Sequence, residues 1–430
     1  MLPRLFLGGL VLFALFSAAD CPAASNYDYS HLKRFSEVLD MVHKDYVREV
    51  GNDELVEGAL KGMLQALDPH SAFLTPEEFS EMRDATSGEF TGVGIEISSE
   101  NGKIVVVTPI DDTPAKAAGV LAGDVILAVD GKPTMEMNQN EVVGLIRGPK
   151  GTQVELLILH KNAVAPVSLK IERDFIPLIS VRGRFLEEGF LWLRLSRFSE
   201  KTSDELEKAL ADARKKTPLK GIVLDLRNNP GGLLDQAVRV SDVFLQDGLI
   251  VYMKGRNANA QREFFARRSS RDVTEPIAVL INSGSASAAE IVAGALQDRK
   301  RAVLIGERSF GKGSVQEVKP LGSFAVKLTT ALYYTPDGRS IQAEGIEPDL
   351  SIPFEMPREN EGTDRFLRVR EQDLSRHLEN EAAPEGGREG GVAFVADQDA
   401  AHMLDRDNQL RMALQVVKSL PRIQELSWKQ

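Results

Sequence analysis

Apolar positions along this chain change period from one stretch to the next. Leu5–Ala18 is an almost unbroken apolar run, with Arg4 before it and small residues at Ser17-Ala18-Ala19 and Ala23-Ala24 after it. A run of that length is short for a membrane span and has the layout of a secretory signal, so residues 1–24 are expected to be a signal peptide, with a retained anchor as the alternative. Leu32, Phe35, Val38, Leu39, Val42 and Tyr46 then follow helical spacing, and a second helix is expected from Asn52 to Leu67. Thr75-Pro76-Glu77-Glu78 opens a third, with Thr as N-cap, Pro at the first helical position and acids in the first turn. Residues 27–88 therefore read as helical.

From residue 89 the period shortens to two. Val93–Ser98 and Lys103–Thr108 alternate around the turn Glu100-Asn101-Gly102, a short helix starts near Asn138 with Glu141 completing a capping box, and Val154–His160 reads as a last strand. Residues 176–354 alternate strand and helix, as in an α/β core. Strands are expected at Phe190–Leu195, Gly221–Leu226, Leu249–Met253, Ile277–Ile281, Val303–Gly306 and Ala325–Tyr334, with Gly221–Leu226 of a buried type. Residues 355–399 are polar and charged, with Glu379–Gly391 suited to a flexible linker. An amphipathic helix is expected within 400–430, carrying Leu410, Ala413, Leu414 and Val417 on one face and closed by Pro421. It docks either on its own core or on a second copy or adaptor.

Composition narrows the chemistry. The 430 residues are 43% hydrophobic and carry a formal charge of −11, which argues against nucleic acid as a partner. The one cysteine, Cys21, lies in the leader after Asp20, whereas a lipid-modified cysteine usually follows a small residue. A mature chain then has no disulfide, thiol nucleophile or cysteine metal site. The histidines are His31, His43, His70, His160, His377 and His402; none falls between 161 and 376, and no HExxH pattern occurs. No metal and no cofactor are expected.

Two segments hold reactive residue types at turns. After Ile277–Ile281, Asn282-Ser283-Gly284 leads to Ser285 and Ser287 and then into a helical pattern. Gly311-Lys312-Gly313 follows. A serine nucleophile without a nearby imidazole needs another base, and Lys312 qualifies if burial brings its pKa down from about 10.4 so that it is neutral. By chemistry alone Ser285 competes with Ser287. Asp225-Leu226-Arg227-Asn228-Asn229-Pro230-Gly231-Gly232 places glycines at another strand-to-helix turn, where exposed N–H groups suit a developing oxyanion.

Residues 89–175 resemble a PDZ domain. The resemblance rests on AGVLAGDVILAVDG and on the loop Thr91-Gly92-Val93-Gly94-Ile95. It implies that a free peptide carboxylate meets the N–H groups of Val93, Gly94 and Ile95 while the peptide adds as a strand. Arg147, at the end of the flanking helix, is a candidate for sensing that carboxylate or for contact with the core. Behind this domain DLRNNPGG, SGSASAAE, GERSFGKGSVQ and YYTPDGRSIQAEGIEPD follow in order. Together they resemble the carboxy-terminal processing (tail-specific) proteases, exported Ser/Lys peptidases. The resemblance implies an α/β protease core of the ClpP/crotonase-like kind over 176–354, with the PDZ domain inserted ahead of it and helical segments at both ends. It further implies Ser287 as nucleophile, Lys312 as general base and Gln316 as the residue orienting the lysine. Ala288 N–H with a glycine N–H of Gly231 or Gly232 would form the oxyanion hole, and Glu290 and Asp298 would give structural support. The expected substrates are protein C-terminal tails in the periplasm or cell envelope. A non-catalytic PDZ adaptor and a small-substrate esterase remain the rival readings.

Overall fold

The computed structural model describes residues 29–100, 102–161, 163–256, 261–355 and 398–427. The expected signal peptide at 1–24 lies outside them, as does nearly all of the expected linker at 355–399. The chain divides into two compact units, residues 1–63 and 64–430. In the first, the helix Ser30–Asp45 buries no residue, and Leu32, Phe35 and Val38 are exposed along its apolar stripe.

In the second unit the expected caps form. Thr75 Oγ1 accepts from Glu78 N at 3.2 Å while Glu78 Oε2 accepts from Thr75 N at 2.9 Å, which starts the helix Pro76–Ser87. Asn138 and Glu141 make the same reciprocal pair at the start of Gln139–Ile146. The region expected to be wholly helical also contains a strand, Ala72–Leu74, paired antiparallel with Phe324–Tyr334. Three residues cannot declare a period, and the pairing partner lies some 250 positions away (Ala72 opposite Lys327).

A five-strand path, Ile95–Glu100, Lys103–Pro109, Val125–Val129, Gln153–Leu159 and Val167–Glu172, builds the small β-rich module. Its core is Val93, Ile104, Val106, Val120, Ile126, Val142, Leu156 and Ile158. Among the described residues Ile95–Glu100 pairs on one side only and leaves its other edge open. A two-stranded ribbon, Glu89–Gly92 with Asp174–Pro177, brings the entry and exit of the module together.

The sheet of the α/β part runs Val181–Glu187, Phe190–Leu195, Gly221–Asp225, Ile277–Ile281, Val303–Gly306, Leu350–Ser351, parallel throughout except at the first pair. Side-chain alternation gives it two apolar faces. Ile222, Leu224, Ile277, Val279 and Ile281 face one way, toward residues of the helices Thr202–Lys216, Leu234–Phe244 and Ala288–Asp298. Val223, Ala278, Leu280 and Ile305 face the other way and are covered by Leu410, Ala413, Leu414 and Val417. The terminal helix therefore docks on its own core. It runs Asn408–Ser427, preceded by a separate helix Gln398–Arg406, and Pro421 does not close it. Proline forfeits one N–H bond but does not stop a helix whose preceding turns are already held by packing. A second sheet of Ala72–Leu74, Phe324–Tyr334, Leu249–Gly255 and Arg262–Phe265 carries Ser314–Leu321 as a branch and flanks the first.

Candidate active site

The carboxyl ends of Gly221–Asp225 and Ile277–Ile281 are neighbours in a parallel sheet, so the loops that follow them meet; this is where α/β sheets place ligands. Asn228 and Asn282 tie the two loops together, with Asn228 N donating to Asn282 Oδ1 at 2.8 Å and Asn282 Nδ2 to Asn228 Oδ1 at 2.9 Å. Ser287 stands at the second loop's junction with the helix Ala288–Asp298, at φ 57°, ψ −116°. Such a conformation costs a non-glycine residue about 1–3 kcal/mol and persists only when its surroundings impose it. Glu290 imposes it. Its buried carboxylate accepts from Ser287 N (2.7 Å), Lys312 N (2.9 Å), Gly311 N (2.6 Å) and Ser309 Oγ (2.6 Å), joining the serine turn to the lysine loop.

The two serines separate here. Ser285 is fully buried; its hydroxyl donates to Leu226 O at 2.8 Å and accepts from Asn282 N at 3.0 Å. Ser287 instead lines an open cleft of about 770 Å³ with Ala288, Gly231, Gly232, Lys312 and Gln316. Gly231 passes so close to the serine turn that a Cβ would lie 2.7 Å from Ser287 Cβ and 2.9 Å from Ala288 N. On Gly232 it would meet Phe198 O at 2.1 Å. Both have positive φ, so glycine is required twice over. Gly231 N donates to Asn229 Oδ1 at 2.9 Å. The N–H groups of Gly232 and Ala288 carry no hydrogen bond among the described residues.

Lys312 is half-buried, and its amine makes no hydrogen bond or ion pair among the described residues, including with Ser287. Burial first, and the positive charge of Lys327 second, pull its pKa below that of an ordinary lysine, against Glu290 and Asp68. Gln316 shares the cleft, but its amide donates to Ser314 Oγ at 3.0 Å and Thr329 Oγ1 at 3.2 Å rather than meeting the lysine. Asp298 supports from outside, accepting from Asp337 N at 2.9 Å and pairing with Arg339. Three residues without an expected role also stand near Ser287 and Lys312. Tyr333 Oη lies 2.9 Å from Ser287 Oγ and 2.8 Å from Lys312 O. Lys327 lines the cleft. His70 arrives from before the strand Ala72–Leu74; burial, then Lys312, hold its pKa below the ordinary imidazole value. Lys327 and His70 carry no local signal, because sheet pairing brings them in, and Tyr333 opens the segment YYTPDGRSIQAEGIEPD without any local mark that its hydroxyl meets Ser287.

Residues 190–352 match peptidase family S41, residues 105–159 a PDZ domain, and residues 17–78 the N-terminal domain of the activating protease CtpB. The carboxy-terminal-processing protease of Bartonella bacilliformis is 48% identical over 371 residues, spanning 85% of this chain and 85% of its own length. The chain belongs to the carboxy-terminal processing proteases. Among other members, CtpA of Bacillus subtilis is 39% identical over 323 residues, covering 75% of this chain and 69% of its own. Among solved structures, the photosystem II D1 C-terminal processing protease is 32% identical, covers 74% of this chain and 86% of its own, and superposes with a TM-score of 0.44. The protein is thus a serine-type peptidase with an α/β core and a PDZ domain.

The PDZ groove of this carboxy-terminal processing protease has a volume of about 190 Å³ and is lined by Val93, Gly94 and Ile95, with Phe90, Gln139 and Arg147 around them. Gln139 Nε2 donates to Ile97 O at 3.0 Å, across the open edge of Ile95–Glu100. Arg147 stacks on the Phe90 ring at 4.9 Å, and its buried Nε has no partner among the described residues. Among the described residues no helix is long and apolar enough to cross a membrane, and no group of side chains is arranged to hold a metal ion.

Proposed function

We propose that this protein is an exported endopeptidase with a Ser287/Lys312 dyad that takes substrate proteins by their C-terminal tails and processes or degrades envelope proteins. The observation that carries the reading is the pairing of Ser287, strained and exposed to the cleft, with two uncommitted N–H groups beside it and a half-buried lysine facing the same space. In acylation the serine proton passes to neutral Lys312, Oγ bonds to the scissile carbonyl carbon, and the carbonyl oxygen takes up the electron pair. Ala288 N–H and Gly232 N–H, both uncommitted, would take that oxyanion, and Gly231 would hold the turn shape instead, since its N–H is spent on Asn229. The amine leaves with the proton from lysine, and water hydrolyses the acyl-enzyme with lysine as base again. Alignment requires the Lys312 side chain to swing to the serine, with Gln316 turning from Ser314 and Thr329 to hold it. The dyad needs no cofactor.

The PDZ domain, proposed to span 89–175 ahead of a core at 176–354, supplies the tail preference. A peptide carboxylate fits the N–H groups of Val93, Gly94 and Ile95, and Arg147 has a guanidinium N–H to offer it. Met82, Ala85 and Thr86 of the helix Pro76–Ser87 line the catalytic cleft, and the chain from that helix runs straight through Glu89–Gly92 into the carboxylate loop. Incubation with an unstructured polypeptide tests the reading. Cleavage should be lost in Ser287→Ala and in Lys312→Ala with the melting transition intact, and it should be slower when the C-terminus is amidated. Full cleavage by Ser287→Ala would sink the dyad. Ester turnover without proteolysis would favour the esterase reading.

A further inference from the structure

Tyr333 sits where no role has been assigned, yet it touches the reacting atom. Its side chain is 3% exposed, between the serine turn and the lysine loop. Its oxygen lies 2.8 Å from Lys312 O and 2.9 Å from Ser287 Oγ. A phenol has one proton, and a carbonyl oxygen only accepts. While Ser287 carries its own proton, both contacts are satisfied in one way: the phenol donates to Lys312 O, and the serine hydroxyl donates to the phenol oxygen. Once Ser287 gives its proton to a base, Oγ becomes the stronger acceptor, and the same phenol proton is within reach of it.

Building on the dyad reading, we propose that Tyr333 is a catalytic residue that turns its hydroxyl from the Lys312 carbonyl to Ser287 Oγ as the serine loses its proton. The phenol O–H bond never breaks. The serine proton goes to Lys312 Nζ, and the charge left on Oγ receives a hydrogen bond until Oγ bonds to the carbonyl carbon. Deacylation reverses the sequence as Oγ leaves. Burial suits the task, since it pushes the phenol's pKa well above its ordinary value and keeps it a donor throughout the working range. Charge-assisted bonds to an oxyanion are also stronger than the neutral bond they replace, so the phenol stabilises the activated state more than the resting one.

The test is a donor series at position 333 in the full-length protein: Phe, 4-aminophenylalanine, tyrosine and 3-fluorotyrosine. Tyr333→Phe is expected to lower kcat on the order of 10²-fold, the scale for losing one donor to a developing oxyanion, with KM within about twofold. Labelling of Ser287 by a fluorophosphonate should slow in parallel, and kcat should climb with donor strength along the series. If Tyr333→Phe does not fold, the other three members still give that ordering. A flat series, or a kcat that rises in Tyr333→Phe, overturns the proposal, the latter by showing that the phenol restrains the serine. Ser287→Ala run alongside separates the failures. Retained cleavage there overturns the dyad and this proposal together, whereas a dead Ser287→Ala beside a flat series overturns the Tyr333 role alone.

Discussion

Ser285 and Ser287 are alike in sequence, and their surroundings give them opposite fates. Ser285 spends both hydrogen-bonding capacities on backbone inside the fold, where a lost partner leaves buried groups unsatisfied. Ser285→Ala is therefore expected to cost about 1–3 kcal/mol in denaturant titration while turnover per folded molecule persists. Lys312 shows the same dependence on neighbours. It must be neutral to act as base, so activity should rise with pH through its pKa, which lies below the ordinary lysine value because of burial and then Lys327. Removing the Lys327 charge relieves that second effect and lets the pKa climb. Lys327→Ala should thus move the rising limb of the kcat profile to higher pH and lower activity at neutral pH; an unmoved or downward-shifted limb would refute the electrostatic account.

Among elements, the helices and hairpins are set by local chemistry and the site strands by their partners. The capping boxes at Thr75 and Asn138 are readable because N-cap and acid sit three residues apart, as the reciprocal bonds require. The loop that lines the PDZ groove is likewise visible in Gly92-Val93-Gly94-Ile95. Whether Arg147 senses a carboxylate is an element-level matter, since it ends the helix Gln139–Ile146 and stacks on the ribbon residue Phe90. Arg147→Ala is expected to reduce the difference in cleavage rate between free and amidated tails, measured as the ratio of kcat/KM values; an unchanged ratio would leave Arg147 a packing residue. The short strand Ala72–Leu74 and the positions of Tyr333 and Lys327 had no such local mark, because long-range pairing makes them what they are.

At the scale of the molecule, the terminal helix is part of the core. Leu410, Ala413, Leu414 and Val417 cover the sheet face that Val223, Ala278 and Leu280 present. A polar bond accompanies the apolar one. Arg227, two residues past the strand Gly221–Asp225 and just ahead of the glycine turn, donates to Asp225 at 3.0 and 2.7 Å and to Asp407 at 3.0 and 2.7 Å. Burial opposes its charge, yet the two carboxylates hold its pKa above the ordinary guanidinium value. Asp407→Ala should cost about 2–4 kcal/mol, since a nearly buried cation loses one of its two carboxylate partners and keeps Asp225 and the Gln409 Oε1 contact at 3.0 Å. It should also lower kcat, because Arg227 adjoins the loop that offers Gly232 N–H. Both are checked by thermal melting and steady-state kinetics on one preparation, and a variant as stable and active as the parent would show the clamp to be idle.

The sequence by itself determined the elements with a strong period, the order of the motifs, and the presence of serine, lysine and glycines at turns, because spacing and turn composition are local properties. Tertiary structure decided which serine is free, which glycine N–H is uncommitted, that Glu290 binds the serine turn to the lysine loop, and that Tyr333 meets Ser287. Those follow from who lies opposite whom across sheets and loops, where hydrogen bonds join residues tens to hundreds of positions apart and no period in the chain records them.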